Sequence, residues 1–145
     1  MPSSTFTFYQ DFKDQLGKAV HNLSSHTFKL ALTNTAPNVA THTVLADITQ
    51  LSTGGGYTGG AGGGLLLDTV TYTETGGTGT FIAADEVFTA AGGSVGPFRY
   101  AVMYNDTATS PADALVGYLD YGSGITLADT ESITFDFTTS IFTIT

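Results

Sequence analysis

The chain has 145 residues, enough for one domain with a sizeable core, and carries a net charge of −9 on only 12% charged residues. That charged share is about half the usual one and suits a protein whose surface is covered by neighbours. From residue 30 onward Arg99 is the only basic side chain against eleven carboxylates, which excludes nucleic-acid binding through a basic face. There is no cysteine, and so no disulfide, thiolate zinc site or thiol nucleophile.

The first residues, "MPSSTFTFYQDF", lack a charged stretch followed by an apolar one, so no secretory signal is expected and the chain is expected to form in a cytoplasm. No apolar run approaches the ~18 residues of a membrane span. "YQDFKDQLGKAV" predicts a short amphipathic helix, with Tyr9, Phe12, Leu16 and Ala19 or Val20 on one stripe. Ser4 or Thr5 is its candidate cap, and Asp11 and Asp14 sit toward its positive end. Gly17 weakens it by ~1 kcal/mol relative to alanine. Residues 1–25 therefore read as an N-terminal arm and helix, and 26–145 as a β body. The aromatic stripe, with Phe6 and Phe8 ahead of it, either covers one end of that body or docks on a partner.

The period then changes to two. "HTFKLALT" alternates Phe28, Leu30 and Leu32 with Lys29, Ala31 and Thr33, a half-buried strand. "TVLADITQL", residues 43–51, has room for a brief helical turn. "LLLDTVTYTE", "TGTFIAAD" and "EVFTAA" read as three strands, separated by Gly76-Gly77 and by Asp85. "PFRYAVMYND" is the most apolar and is expected at the centre of a sheet, with Pro97 able only to begin it. "ALVGYLDYG" is the next strand. "SITFDFTTSIFTIT" reads as a hairpin: Ile133, Phe135 and Phe137 on one face, a "TTS" turn, then Ile141, Phe142 and Ile144. The last strand carries no charge, so it is expected inside a sheet, the alternatives being that it pairs with another chain or packs beneath one. About eight strands after one helix, with no helices for crossovers, predict an antiparallel β-sandwich of jelly-roll or Greek-key kind.

The glycine-rich stretch at 52–64 is not a phosphate cradle. No lysine follows residue 29, and the tract leads into a strand rather than a helix. It reads as a surface loop that is mobile alone or held by a neighbouring subunit, with Tyr57 as an anchor for a partner's groove. "GGSVG" spells a nucleophile elbow around Ser94, but a strand follows it and all three histidines precede the serine. His21, His26 and His42 are scattered, and no metal site is expected. Asp85 and Glu86 are adjacent and point to opposite faces of a strand, unlike a glycosidase pair. Asp106, Asp113, Asp120 and Asp129 fall near strand ends, where carboxylates are solvated, cap the backbone or bind calcium between loops. No catalytic or cofactor-binding residue is assigned, and the chain reads as a non-enzyme.

"FYQDFKDQLGKAVHNLSSHTFKLALTNTAP" resembles the opening of a family of small tailed-bacteriophage virion proteins, which begin with an aromatic-rich helix, "D-T-x-K-V-A-L"-like residues and a "T-x-x-x-x-P" loop. "GGGYTGG", "RYAVMYND", "ALVGYLDYG" and "ITFDFTTSIFTI" are similar to its later blocks. The glycine tract between Ser52 and Leu65 is longer than that pattern. The resemblance implies a β-sandwich in the virion, a cement or decoration protein on the capsid exterior. Its implied partners are the major capsid protein and copies of itself, with no cofactor, nucleic acid or membrane. The candidate contact residues are Phe6, Phe8, Tyr9, Phe12, Tyr57, Ile141, Phe142 and Ile144. Two other readings are a neck, tail or fibre component, and a glycan-binding jelly roll stacking sugars on Tyr57, Tyr118 or Tyr121.

Overall fold

The computed structural model describes residues 5–137 and 140–145. Its chain opens with a strand, β1 (Thr7–Phe8), before the helix α1 (Gln10–Gly17). Tyr9 is the N-cap in place of the expected Thr5, because β1 holds the preceding backbone extended; Ser4 lies outside the described residues. Asp11 lies in the first turn and accepts from Gln15 Nε2 at 3.2 Å, while Lys18 pairs with Asp14 at 2.7 Å. Phe12 is the helix's buried residue.

The helix stops earlier than its apolar stripe suggests. Val20 N–H donates to the Gln15 carbonyl and Ala19 N–H to that of Leu16, the paired bonds of a Schellman ending. That ending needs a left-handed residue, and Ala19 supplies it at φ 62°. Glycine, the residue suited to the job, stands two positions earlier at Gly17.

Nine strands follow: β2 (Phe28–Thr33), β3 (Leu65–Leu66), β4 (Thr71–Thr75), β5 (Thr78–Ile82), β6 (Glu86–Thr89), β7 (Val95–Asn105), β8 (Leu115–Leu127), β9 (Ser132–Phe135) and β10 (Phe142–Ile144). Among the described residues they make, with β1, ten strands in place of about eight, all paired antiparallel. They form a five-stranded sheet β1-β8-β7-β2-β3, a three-stranded sheet β10-β5-β4 and a two-stranded sheet β6-β9. The apolar strand β7 is central, as its composition predicts, but it begins at Val95. Pro97 lies within it, at a register break between Val95 and Phe98 where the ladder does not need its missing N–H. A single 3₁₀ turn, Leu45–Asp47, occupies the predicted helical turn.

The C-terminal hairpin is corrected. β9 pairs with β6, Ile133 opposite Phe88, whereas β10 pairs with β5, Phe142 opposite Phe81. Alternation identifies strands without naming their partners. Here Phe137 N–H donates to Asp85 at 2.6 Å and Ile141 N–H to the Phe81 carbonyl, so the chain passes from one sheet to the other. The expected "TTS" turn falls on Thr138 and Thr139, outside the described residues. β10 is not internal; it is an edge of its sheet.

Side chains of all three sheets meet in one hydrophobic cluster, with Phe28 and Leu30 from β2, Phe81 from β5, Phe88 from β6 and Phe135 from β9. A smaller cluster on the other face of the five-stranded sheet joins Tyr9, Ala31, Val102, Tyr104 and Leu115 to Leu45 and Ile48 beside the 3₁₀ turn.

The glycine tract is bonded to its own chain, and Tyr57 is corrected from a partner's anchor to a buried side chain. Gly55 and Gly56, at φ 59° and 88°, form a two-residue turn closed by mutual backbone bonds between Gly54 and Tyr57. The turn drives Tyr57 inward until 1% of it is exposed. Its phenol donates to Gln50 Oε1 at 2.7 Å and accepts from Leu32 N–H at 2.9 Å, and burial pushes its pKa up to about 12. Lys29 Nζ donates to the Gly62 carbonyl at 2.7 Å, and the Tyr104 hydroxyl to that of Gly63. Gly64, at φ 93°, lies so close to the Leu30 carbonyl that a Cβ would collide with it. Removing side chains lets this backbone approach β2, and the bonds it makes there offset the entropy of ordering it.

Two stability outcomes follow. The exchange Gly17→Ala with Ala19→Gly raises the urea unfolding free energy by about 1–2 kcal/mol, since helix propensity and the left-handed position then agree. Tyr57→Phe lowers it by about 1–3 kcal/mol, because the Leu32 N–H and Gln50 lose a buried partner.

Candidate functional site

The structure brings most of the candidate contact residues together. Phe8 lies on β1, opposite Gly117 of β8, so its ring turns toward the main core. It stacks on Phe12 at 5.1 Å and meets Phe142 edge-on at 5.0 Å. Phe6 stacks on Phe142 at 5.1 Å, and Phe142 in turn stacks on Phe81 at 4.8 Å. The arm, the helix and the last strand thus share one aromatic seam. Ile144 lies beside it, in a groove of about 280 Å³ with Phe8, Phe12, Lys13 and Leu16.

Their exposure differs from that of a ready-made contact surface. Tyr9, Phe12, Tyr57, Ile141 and Phe142 are buried within the chain itself, and Phe6, Phe8 and Ile144 are half-buried. Tyr57 is turned away from any partner's groove, because its neighbours Gly54–Gly56 fold it onto β2. Tyr9 is held under Tyr118, ring to ring at 5.9 Å, and burial raises its phenol pKa well above the ordinary value.

A second aromatic row crosses the other face of the five-stranded sheet. Tyr118 meets Tyr100 at 5.9 Å, and the Arg99 guanidinium lies 5.2 Å from the Tyr100 ring. Arg99 grips Asp120 through two bonds of 2.8 and 3.1 Å, which hold the Asp120 carboxyl below its usual range. Tyr118 and Tyr121 are half-buried, so of the three proposed sugar-stacking rings Tyr57 drops out.

The carboxylates act locally. Asp129 accepts from Gly92 N–H at 2.9 Å, Asp85 from Phe137 N–H, and Asp47 from Thr43 N–H at 2.9 Å. Asp106 pairs with Lys29 at 3.2 Å. Burial raises Asp113, with the Asp106 charge adding to it. Glu86 is raised by burial and then by Asp68. Among the described residues no three His, Asp or Glu side chains are grouped to hold a metal ion, and Ser94 makes no bond to a histidine. A cavity of about 480 Å³ between the 3₁₀ turn and the glycine tract is lined by Leu45, Ile48, Leu51, Thr53 and Asp113. No helix of the described residues is long and apolar enough to cross a membrane.

Sequence reasoning missed the histidines. "NLSSH" (22–26) and "NVATH" (38–42) fold into the same closed turn. In each, the Asn N–H donates to the Nδ1 of the His four residues on, at 3.2 and 3.1 Å, and the His N–H returns to the Asn carbonyl. The asparagine–histidine spacing, present twice, is the signal that identifies them. His21 is 5% exposed against Phe12, and burial followed by the nearby His26 lowers its pKa to about 4. Comparison with family models, curated proteins and solved structures finds no match to this chain.

Proposed function

We propose that this chain is a structural virion protein of a tailed bacteriophage, a capsid cement or decoration protein that bridges major capsid subunits on the capsid exterior. It would be made in the bacterial host's cytoplasm and act as a homo-oligomer without catalysing a reaction. The observation that carries the reading is the open edge strand β4. Thr71, Thr73, Glu74 and Thr75 are exposed, and the strand pairs with β5 in unbroken register from Thr71 to Thr75. It has none of the lysine, proline or bulge that blunts the edges of solitary proteins. Its one charge, Glu74, is drawn back to cap Gly77 N–H at 2.6 Å. A neighbouring strand therefore finds free backbone groups and no charge barrier.

Charge supports the same reading. Lys18, Lys29 and Arg99 are each paired with a carboxylate of the chain, leaving Lys13 as the one basic side chain outside an ion pair among the described residues. The exterior is thus acidic and matches a basic partner surface. Burial of apolar area in such a bridge contributes roughly 25 cal/mol per Å² before the costs of association, and many copies act together on a closed shell. This reading also takes the three sheets as a β-sandwich of jelly-roll or Greek-key kind, supported by the contact of Phe28 with Phe81 across them at 5.3 Å. A neck, tail or fibre location is the alternative within the same particle.

The test is cosedimentation of the purified chain with expanded empty capsids and with purified tails. Saturable retention on capsids, with a raised temperature of shell disruption, is the expected outcome. Thr73→Lys with Thr75→Lys should cut that retention about tenfold or more while changing the chain's own stability by less than about 1 kcal/mol. Retention on tails alone, or on neither, would defeat the reading.

A further inference from the structure

The three histidines and Asn105 stand at two of the places, one at each end of α1, where the helix segment is tied to the body. Asn105 is wholly buried. Its Oδ1 accepts from Thr107 N–H at 3.0 Å and Ala108 N–H at 3.2 Å, which fixes the orientation of the amide. Nδ2, a donor, must then be the atom that faces His21 Nδ1 at 3.1 Å and His26 Nδ1 at 2.9 Å. Both rings are therefore acceptors at Nδ1 and carry their proton at Nε2. The Asn22 N–H arriving at His26 Nδ1 requires the same tautomer. For His21 this leaves a buried Nε2–H with no partner among the described residues.

The same chemistry recurs at the other end of the helix. His42 Nδ1 accepts from Asn38 N–H, and the turn so closed presents the Val39 carbonyl to Gln10 N–H at 3.0 Å. We propose that these histidines form an acid-operated latch, which holds β1 and α1 against the body while the rings are neutral and releases them when the rings take up protons.

A second proton makes Nδ1 a donor that faces the Asn105 amide or a backbone N–H, so each bond becomes a repulsion. Few groups oppose this. His26 and the Tyr72 phenol are the titratable neighbours of His21, and a second cation at His26 adds to the cost. Asp47 is the charged neighbour of His42, while Asp14 and Lys18 of α1 neutralise each other in solvent. The sign follows from His21. Its folded pKa lies below the open-state value of 6.5, so the open form binds more protons between those values. The latch is therefore complete above about pH 6.5 and weakens as the pH falls toward 4. Release uncovers Phe142, over which Phe6, Phe8 and Phe12 now lie.

Hydrogen exchange of the whole chain, corrected for intrinsic rates, tests this between about pH 7.5 and 4.5. Amides of residues 7–27 should lose about tenfold or more protection relative to those of β7 and β8. Asn105→Asp keeps the acceptor for Thr107 and Ala108 and offers charged rings a carboxylate, so this variant should stay latched at the lower pH. Imidazole nitrogen shifts of the unaltered chain give a readout that does not depend on the variant folding. His21 and His26 should both show the Nε2–H tautomer at neutral pH. Equal loss of protection in arm and body, or an Nδ1–H tautomer at His21, would overturn the latch.

Discussion

Phe142 joins the two ends of the chain. It stacks between Phe6 and Phe81 and meets Phe8 and Phe12 edge-on, so the N-terminal arm, the helix and the last strand share one set of contacts. Aromatic pairs of this geometry contribute about 0.5–1.5 kcal/mol each beyond the area they bury. The seam also explains a short helix with a glycine in its last turn and an alanine in a left-handed position. α1 persists because Phe12 is held there, not because its own propensities are good.

The glycine tract shows the opposite economy. Glycine costs more to order than any other residue, yet Gly54–Gly64 is bonded to β2, to Gln50 and to Tyr104 along its length. The tract lets the backbone come close enough to β2 for Tyr57 to reach the Leu32 N–H of the sheet from the side. A tract that reads as freedom in composition acts as a fastening in space. The same holds for the carboxylates, most of which are committed to a turn or a cation of their own chain.

The period-two pattern makes β2, β5, β7 and β8 legible, and the three-to-four spacing makes α1 legible, because both report which side chains face the core. Partner choice is not encoded that way. Ile133 and Phe142 read as two arms of a hairpin, yet they lie on different sheets, since Asp85 and Phe81 capture the backbone on either side of the connection. β1 was illegible because two residues are too few for a period, and Tyr57 because its burial depends on a turn between glycines. Of the candidate contact residues, the grouping of Phe6, Phe8, Phe12, Phe142 and Ile144 could be suspected from their apolar character. That they cover one another could not. The histidine turns were visible only as a repeated asparagine–histidine spacing, which carries meaning once Asn105 is seen between His21 and His26.

Thr7 sits opposite Tyr118 in the five-stranded sheet. During synthesis the arm is made before the strands that receive it: β8 follows β7 in the chain, and Phe142 comes later still. Phe6, Phe8 and Phe12 therefore wait without their native neighbours until β8 and β10 have been made. Pairings so distant along the chain close late and slowly. The nascent chain must carry those rings unsheltered until both strands exist, so the arm is locked home late.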